Sequence, residues 1–229
     1  MPRPVVGPPP EIICKNATEM KSYYQNRAPV YDRVYAYPER QQDLRFLEDY
    51  IPGQFSGRKV LEIAAGTGYW TQFIAPVAES MTATDVTLEA LIQAGMRPGV
   101  ERVKFLIADA FALHDIGDGF DGIFAGLWLS HVPRQRREEF LASMHSLTAP
   151  GSVVVFLDNS MAQCERLPIS FTDEHGNTYQ DRALDDGSVY RVLKNFPTIT
   201  ELLQLTDGFS SEPDFIELKH FWVFRYVYR

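Results

Sequence analysis

The 229-residue sequence predicts an α/β fold built on an open, mostly parallel sheet. Three observations carry this. First, an apolar run at 59–63 breaks into Ala64-Ala65-Gly66-Thr67-Gly68. Trp70, Phe73, Ile74 and Val77 follow at the i, i+3, i+4, i+7 spacing of one helix face. Second, β-rich runs recur at 81–85, 103–111, 120–126 and 152–157, with helix-period segments between most of them. Third, 45% hydrophobic residues with 13% aromatics supply a sizeable core, and the length suits one α/β domain with additions.

Charge and cysteine usage narrow the partners. A formal net charge of −8 argues against a protein that grips nucleic acid through its phosphates. The densest basic run, Arg134, Arg136 and Arg137, leads straight into Glu138-Glu139, the pattern of a solvated helix face. Cys14 and Cys164 lie far apart and make no metal spacing, so a reduced, cytoplasmic protein is expected, with no metal. No signal peptide and no membrane partner are expected, because no apolar stretch is long enough to span a bilayer.

Residues 1–12 open with a half-proline decapeptide and are expected to be a disordered lead. The remainder, 13–229, reads as one domain. A helix over 16–27 is ended by Pro29, and three tyrosines precede Pro38. Pro38 suits the first turn of a second helix, along which Leu44, Leu47 and Ile51 recur at helical spacing. Together 13–52 form a helical cap.

After the glycine turn, the strand at 81–85 ends in Asp85, seventeen residues beyond Gly68, which is the distance of a helix and a return strand. The next helix, 88–94, has Thr87 in the N-cap position. The third strand exits through Asp109-Ala110, and the fourth through Ala125-Gly126-Leu127-Trp128 toward His131. An amphipathic helix over 135–147 and the Pro150-Gly151 turn lead into the fifth strand, 152–157.

The following links are too short for parallel crossovers. Runs at 169–171, 178–184 and 188–193 therefore read as an antiparallel β insertion, 158–197, at the active-site edge. Thr198 with Glu201 opens a capped helix, and 215–220 and 221–228 are the last two strands. Trp222, Phe224, Tyr226 and Tyr228 alternate along the final strand, giving one aromatic face.

Strand, glycine turn and helix place a ligand beyond the carboxyl ends of the strands. A dinucleotide would want a third glycine where Thr71 stands, beside bulky Trp70, so that fingerprint is incomplete. The stretch E-I-A-A-G-T-G resembles the first motif of class I S-adenosylmethionine-dependent methyltransferases. The Y-Y-x-x-R-A-x-x-Y-D pattern of the cap resembles the N-terminus of many small-molecule members. D-N-S, G-N-T-Y-Q and K-N-F-P-T look like a bacterial small-molecule subgroup.

The resemblance covers about 23–229 and implies a Rossmann-like seven-stranded mixed sheet in the order 3-2-1-4-5-7-6. It implies S-adenosylmethionine as cofactor and S-adenosylhomocysteine as product. The implied cofactor residues are Tyr23 and Arg27 from the cap; Glu62, Ala64, Gly66 and Gly68 at the turn; Asp85 on the ribose, with Val86; Asp109 and Ala110 at the adenine; and Ala125 and Gly126 beside the methyl group. Asp85 also fits an N-cap of the helix at 88–94, although Thr87 is better placed for it, Asp109 also fits a plain strand-end turn, and the cap tyrosines fit packing over the sheet.

For the acceptor, Tyr31, Trp128, Asn159, Tyr179 and Asn195 are candidate contacts, and Arg182 and Lys194 could line the same pocket. Ordinary loop structure accounts for each of them as well. His131 is the histidine on the predicted active-site loop, and a free-peptide pKa of about 6.5 suits a general base. Methyl transfer to a small molecule, at oxygen, nitrogen or carbon, is the reading that follows, in a monomer or homodimer. A protein methyltransferase, an aminopropyl transferase and a non-catalytic nucleoside or dinucleotide module are the rivals. The acidic cluster a polyamine would need is absent near the fourth-strand loop.

Overall fold

The computed structural model describes residues 12–13 and 28–229, with side chains from residue 32 onward. The helix expected over 16–27, including Tyr23 and Arg27, lies outside the described residues, as does the side chain of Tyr31.

Seven strands make the central sheet: β2 (Lys59–Ile63), β3 (Ser80–Asp85), β4 (Lys104–Ile107), β5 (Phe120–Gly126), β6 (Thr148–Asn159), β10 (Ser210–Glu217) and β11 (Phe221–Tyr228). Their spatial order is β4-β3-β2-β5-β6-β11-β10. Counted within the sheet, this is the expected 3-2-1-4-5-7-6. Pairings from β4 through β6 are parallel, and β11 runs antiparallel to both β6 and β10. The order reverses between β2 and β5, so the topological switch point lies at the carboxyl end of β2, where the crevice framed by β2 and β3 opens.

A sheet covered on both faces needs strands apolar on both sides. Along β6, Val153, Val155 and Leu157 pack on one face with Leu44, Leu47 and Ile51 of helix α1 (Gln41–Gly53). Val154 and Phe156 face the other way, onto Phe140, Leu141 and Met144 of α4 (Arg137–His145), with Trp222, Phe224 and Tyr226 of β11. The aromatic alternation of the last strand is therefore core.

Between these helices lie α2 (Thr71–Ile74) and α3 (Leu88–Ala94). The helix after the glycine turn is shorter than its apolar spacing suggests. Pro76 follows directly on its C-cap at Ala75, and proline cannot continue an α-helix. Val77, expected on the buried face, is left 39% exposed. Pro38 occupies the first turn of a 3-10 segment, Pro38–Arg40, that runs into α1.

The insertion folds as a second sheet. β7 (Phe171–Thr172), β8 (Thr178–Ala183) and β9 (Val189–Leu193) are antiparallel, and β1 (Ile12–Ile13) adds to β9 in parallel. Helix α5 (Ile199–Leu205) then starts with the full capping box. Thr198 Oγ1 accepts from the Glu201 N–H, and Glu201 Oε2 accepts from the Thr198 N–H.

Candidate active site

The glycine turn is shaped by its backbone. Ala64, Gly66 and Gly68 all adopt left-handed φ, at 55°, 55° and 74°. At Gly68 the requirement is twofold, since a Cβ there would sit 2.8 Å from Ala94 Cα. This brings the turn tight against α3. At Gly66 a Cβ would meet nothing within 4 Å, so the turn is open toward the crevice.

Asp85, at the end of β3, faces the turn. Its Oδ2 accepts from the Gly66 N–H at 2.9 Å, and its Oδ1 accepts from Thr87 N–H and Thr87 Oγ1 at 2.8 and 2.7 Å. Burial raises its carboxyl pKa, and the hydrogen bonds from Thr87 and Gly66 pull it back down. Thr87 holds the N-cap position of α3, but its hydroxyl serves Asp85 rather than the helix. Each oxygen of a carboxylate carries two lone pairs, so with these three bonds made Asp85 keeps one acceptor position, on Oδ2, for a ligand hydroxyl.

Glu62 lies beneath the turn, 2% exposed, and accepts from Thr71 Oγ1 at 2.6 Å. Burial pushes its carboxyl up to about 8, with nearby Asp85 adding to the shift. On the rim of the crevice, Val86 and Ile107 are exposed apolar groups, and Ala110 is buried. Asp109 Oδ1 accepts from the Phe111 N–H at 2.9 Å, which leaves Oδ2 to a ligand. On the far side Ala125 is fully buried, and Gly126 is tightly enclosed, since a Cβ there would lie 3.0 Å from both the Phe124 and Trp70 rings.

The cap is fastened to this turn. Asp32 Oδ1 accepts from Thr67 Oγ1 at 2.6 Å, and Asp32 Oδ2 is ion-paired with Arg97. Arg97 Nε also donates to the Thr67 carbonyl, and Tyr35 stacks on Tyr69 with centroids 3.5 Å apart. Asp32, Arg97 and Tyr69 were not singled out by the sequence. The aspartate of the cap motif was the available signal.

These donors decide between phosphate-bearing and phosphate-free nucleosides. An anion-binding helix N-terminus needs unspent N–H groups. Here the Gly66 N–H is taken by Asp85 and the Gly68 N–H by the Ala65 carbonyl, and the helix beyond has only four residues. An adenosyl group without phosphates fits: Asp85 for the ribose, Asp109 for the exocyclic amine, and small, open backbone between them.

Beside this crevice lies a partly enclosed cavity of about 500 Å³, counting its open mouth. The cap supplies Val34, Tyr37 and Arg40, the strand ends supply Leu127, His131 and Asn159, and the insertion supplies Arg182 and Lys194. Gln163, Arg166 and Leu167 complete it from the segment after β6. His131 is buried, and its Nδ1 lies 2.5 Å from the Leu193 carbonyl. A carbonyl only accepts, so Nδ1 carries the hydrogen and Nε2 is the basic nitrogen.

Lys194 is the residue that the sequence ranked too low. It is buried, and its ammonium donates to Ser130 Oγ (2.7 Å), Asp158 Oδ1 (2.7 Å) and Asn159 Oδ1 (3.0 Å). Burial pushes its pKa down to about 8, and Asp158 works against that shift. Asp158 Oδ2 also accepts from the Ser130 N–H, so one ion pair ties the fourth-strand loop, β6 and the insertion together.

The remaining acceptor candidates are spread out. Trp128 packs on Phe111 and the core. Tyr179 donates to Asp173 at 3.0 Å. Asn195 is buried, with its amide spent on Thr178, Val132 and Asn177. The geometry brings His131 and Asn159 together in the cavity and leaves Trp128, Tyr179 and Asn195 out of its lining.

Residues 60–151, which hold the crevice, match the family model described as a methyltransferase domain. The demethylmenaquinone methyltransferase of Renibacterium salmoninarum is 28% identical over 149 residues, covering 64% of this chain. The match spans 61% of that relative's length. Two solved structures align over nearly the whole chain. One, titled as a DhpI-SAH complex, is 31% identical, with a TM-score of 0.74, covering 91% of this chain and 95% of the other. The other, titled as a DhpI-SAM-HEP complex, is 32% identical, also with a TM-score of 0.74, covering 93% and 99%. With the sheet order, the phosphate-free turn and these likenesses in agreement, the chain belongs to the class I S-adenosylmethionine-dependent methyltransferases.

Proposed function

We propose that the protein transfers the methyl group of S-adenosylmethionine to a small-molecule acceptor seated in the cavity beside the crevice. The observation that carries this is the adjacency of two sites of different chemistry. Asp85, Val86, Asp109 and Ala110 suit an adenosyl group, and a separate polar cavity opens at Leu127, His131 and Asn159.

When bound, the cofactor supplies an electrophilic methyl on a sulfonium. The chain's own task is positioning, dryness and proton management. Ala64, Gly66, Gly68, Ala125 and Gly126 give a narrow backbone floor that lets the two ligands approach each other. The cap closes one side of the cavity, with Tyr37 and Arg40, and limits water. The acceptor's attacking atom forms the new bond to the methyl carbon as the carbon–sulfur bond breaks. If that atom starts as a hydroxyl or protonated amine, its proton goes to His131 Nε2, whose ring is oriented by the Leu193 carbonyl.

The finer assignments follow the same reading. Asp85 holds the ribose and Asp109 the adenine, Glu62 supports the turn from beneath, and Tyr23 and Arg27 reach the methionine end. Asn159 contacts the acceptor, with Tyr31, Trp128, Tyr179 and Asn195 as further candidates. A cytoplasmic enzyme acting as a monomer or homodimer fits the free Cys164.

Incubation of the protein with methyl-labelled cofactor and a cell metabolite extract tests the proposal. Label in a small product, with stoichiometric S-adenosylhomocysteine, is the expected result. Label appearing in protein would favour a macromolecular acceptor. Tight cofactor binding without transfer to either pool would favour a non-catalytic module.

A further inference from the structure

The cavity is unusual in its charge. Among the described residues its lining contains Arg40, Arg166, Arg182 and Lys194, and no aspartate or glutamate, in a chain whose formal net charge is −8. Two of these cations are matched just outside the lining, Lys194 by Asp158 and Arg166 by Glu39. Arg40 is different. It is 6% exposed, and among the described residues it forms no ion pair. Its single hydrogen bond is long, from Nη1 to the Val34 carbonyl at 3.4 Å, and the guanidinium otherwise lies over the Tyr37 and Phe221 rings. A guanidinium stays protonated in proteins, and Glu39, which acts on Arg40 through space, is already paired with Arg166, so burial leaves the cation without a carboxylate of its own.

Asn159 adds a directional donor. It is 4% exposed, and its Nδ2 has no partner among the described residues. The orientation of an amide is ordinarily ambiguous. Here it is settled, because Oδ1 accepts from Lys194 Nζ, and an ammonium has only hydrogens to offer. Lys194 therefore holds the Asn159 side chain so that its N–H₂ end is the one left to a ligand. Gln163 Oε1, also in the lining, lacks a partner too, but nothing pins that amide, and it can present either end.

We infer that the methyl acceptor carries an oxyanion, a carboxylate or phosphate-type group, received by Asn159 Nδ2 and the Arg40 guanidinium, with Lys194 as the positioning residue that sets the Asn159 amide. This rests on the methyl-transfer reading of the same site and names its substrate class. An oxyanion supplies at once the acceptor that Asn159 lacks and the counter-charge that Arg40 lacks, and charge-assisted hydrogen bonds are the strong ones. A neutral acceptor would leave the Arg40 charge uncompensated.

The test is calorimetric titration of the protein with acetate, inorganic phosphate and acetamide, the neutral isostere of acetate, each with and without saturating S-adenosylhomocysteine. Acetate or phosphate is expected to bind at least about tenfold more tightly than acetamide, the scale of one charged hydrogen bond. Arg40→Met and Asn159→Asp are each expected to weaken the bound anion by about tenfold or more. The aspartate keeps an oxygen for Lys194 while replacing the donor with a like charge. Acetamide binding as well as both anions would overturn the inference, as would unchanged anion affinity in both variants. The wild-type comparison stands even if a substitution unfolds the chain, and each variant's affinity for S-adenosylhomocysteine reports whether it has folded. Failure of the wild type to bind S-adenosylhomocysteine would count against the methyl-transfer reading, whereas the anion titration without it is read independently.

Discussion

The Gly66 N–H donates to Asp85 Oδ2 across 2.9 Å, so the carboxylate at the end of one strand is oriented by the turn that leaves its neighbour. The bond spans β2 and β3, the two strands whose carboxyl ends frame the crevice. It spends a turn N–H that a phosphate would need, and it leaves one lone pair of Asp85 Oδ2 to a neutral ligand hydroxyl.

Asp85→Asn keeps an oxygen for one of the present donors but removes the charge and half of the acceptor capacity. Affinity for S-adenosylhomocysteine is expected to fall about tenfold or more, with the circular dichroism spectrum retained. Calorimetry finding the affinity unchanged would reject the ribose assignment.

Removing a general base usually costs about 10²–10⁴ in rate. His131→Ala is therefore expected to lower kcat/KM by at least about a hundredfold on an acceptor that must lose a proton. A drop of less than tenfold, measured once the acceptor is in hand, would strip His131 of that role.

Glu62 makes a prediction in pH. Its folded pKa, about 8, lies above its ordinary value of 4.5, so the native state holds the proton more tightly than the unfolded chain. The sign follows: its contribution is fully present below about pH 4.5 and is lost as pH rises through about 8. Glu62→Gln, which stays neutral and can still pair with Thr71 Oγ1, is expected to flatten the decline of Tm between pH 6 and 9, a window spanning about 8. Parallel melting curves for the two proteins across that window would show that Glu62 is not the group responsible.

At Gly68 sterics and backbone act together. A methyl group there meets Ala94 Cα at 2.8 Å, on a residue with φ of 74°. Gly68→Ala is expected to destabilise the fold by about 1–3 kcal/mol and to displace the turn, weakening cofactor binding as well. A denaturation midpoint equal to wild type would mean the turn yields more readily than its packing against α3 implies.

Much of the frame was legible in local pattern. The strand runs, the Thr198–Glu201 capping box and the aromatic alternation of the last strand each depend on neighbours within a few residues, and all are found, although β6 runs through the expected Pro150-Gly151 turn and β10 covers 210–217 where 215–220 was expected. The helix after the glycine turn was overextended because apolar spacing was followed through Pro76. The cavity was read least well. Lys194, Ser130, Asp158 and Asn159 meet only after the fourth-strand loop, β6 and the insertion have packed together. Arg40 was not singled out, since the burial of its guanidinium is visible only in three dimensions. Trp128, Tyr179 and Asn195 were chosen by residue type on suitable loops, and the folded chain spends them on core packing and loop hydrogen bonds.

The central claim is that the crevice beyond β2 and β3 holds an adenosyl group between two carboxylates. A crystal structure of the protein grown with S-adenosylhomocysteine tests it most directly. The expected result is the ribose hydroxyls within hydrogen-bonding distance of Asp85 and the adenine amine beside Asp109. A complex in which the nucleoside lies away from both carboxylates would contradict it.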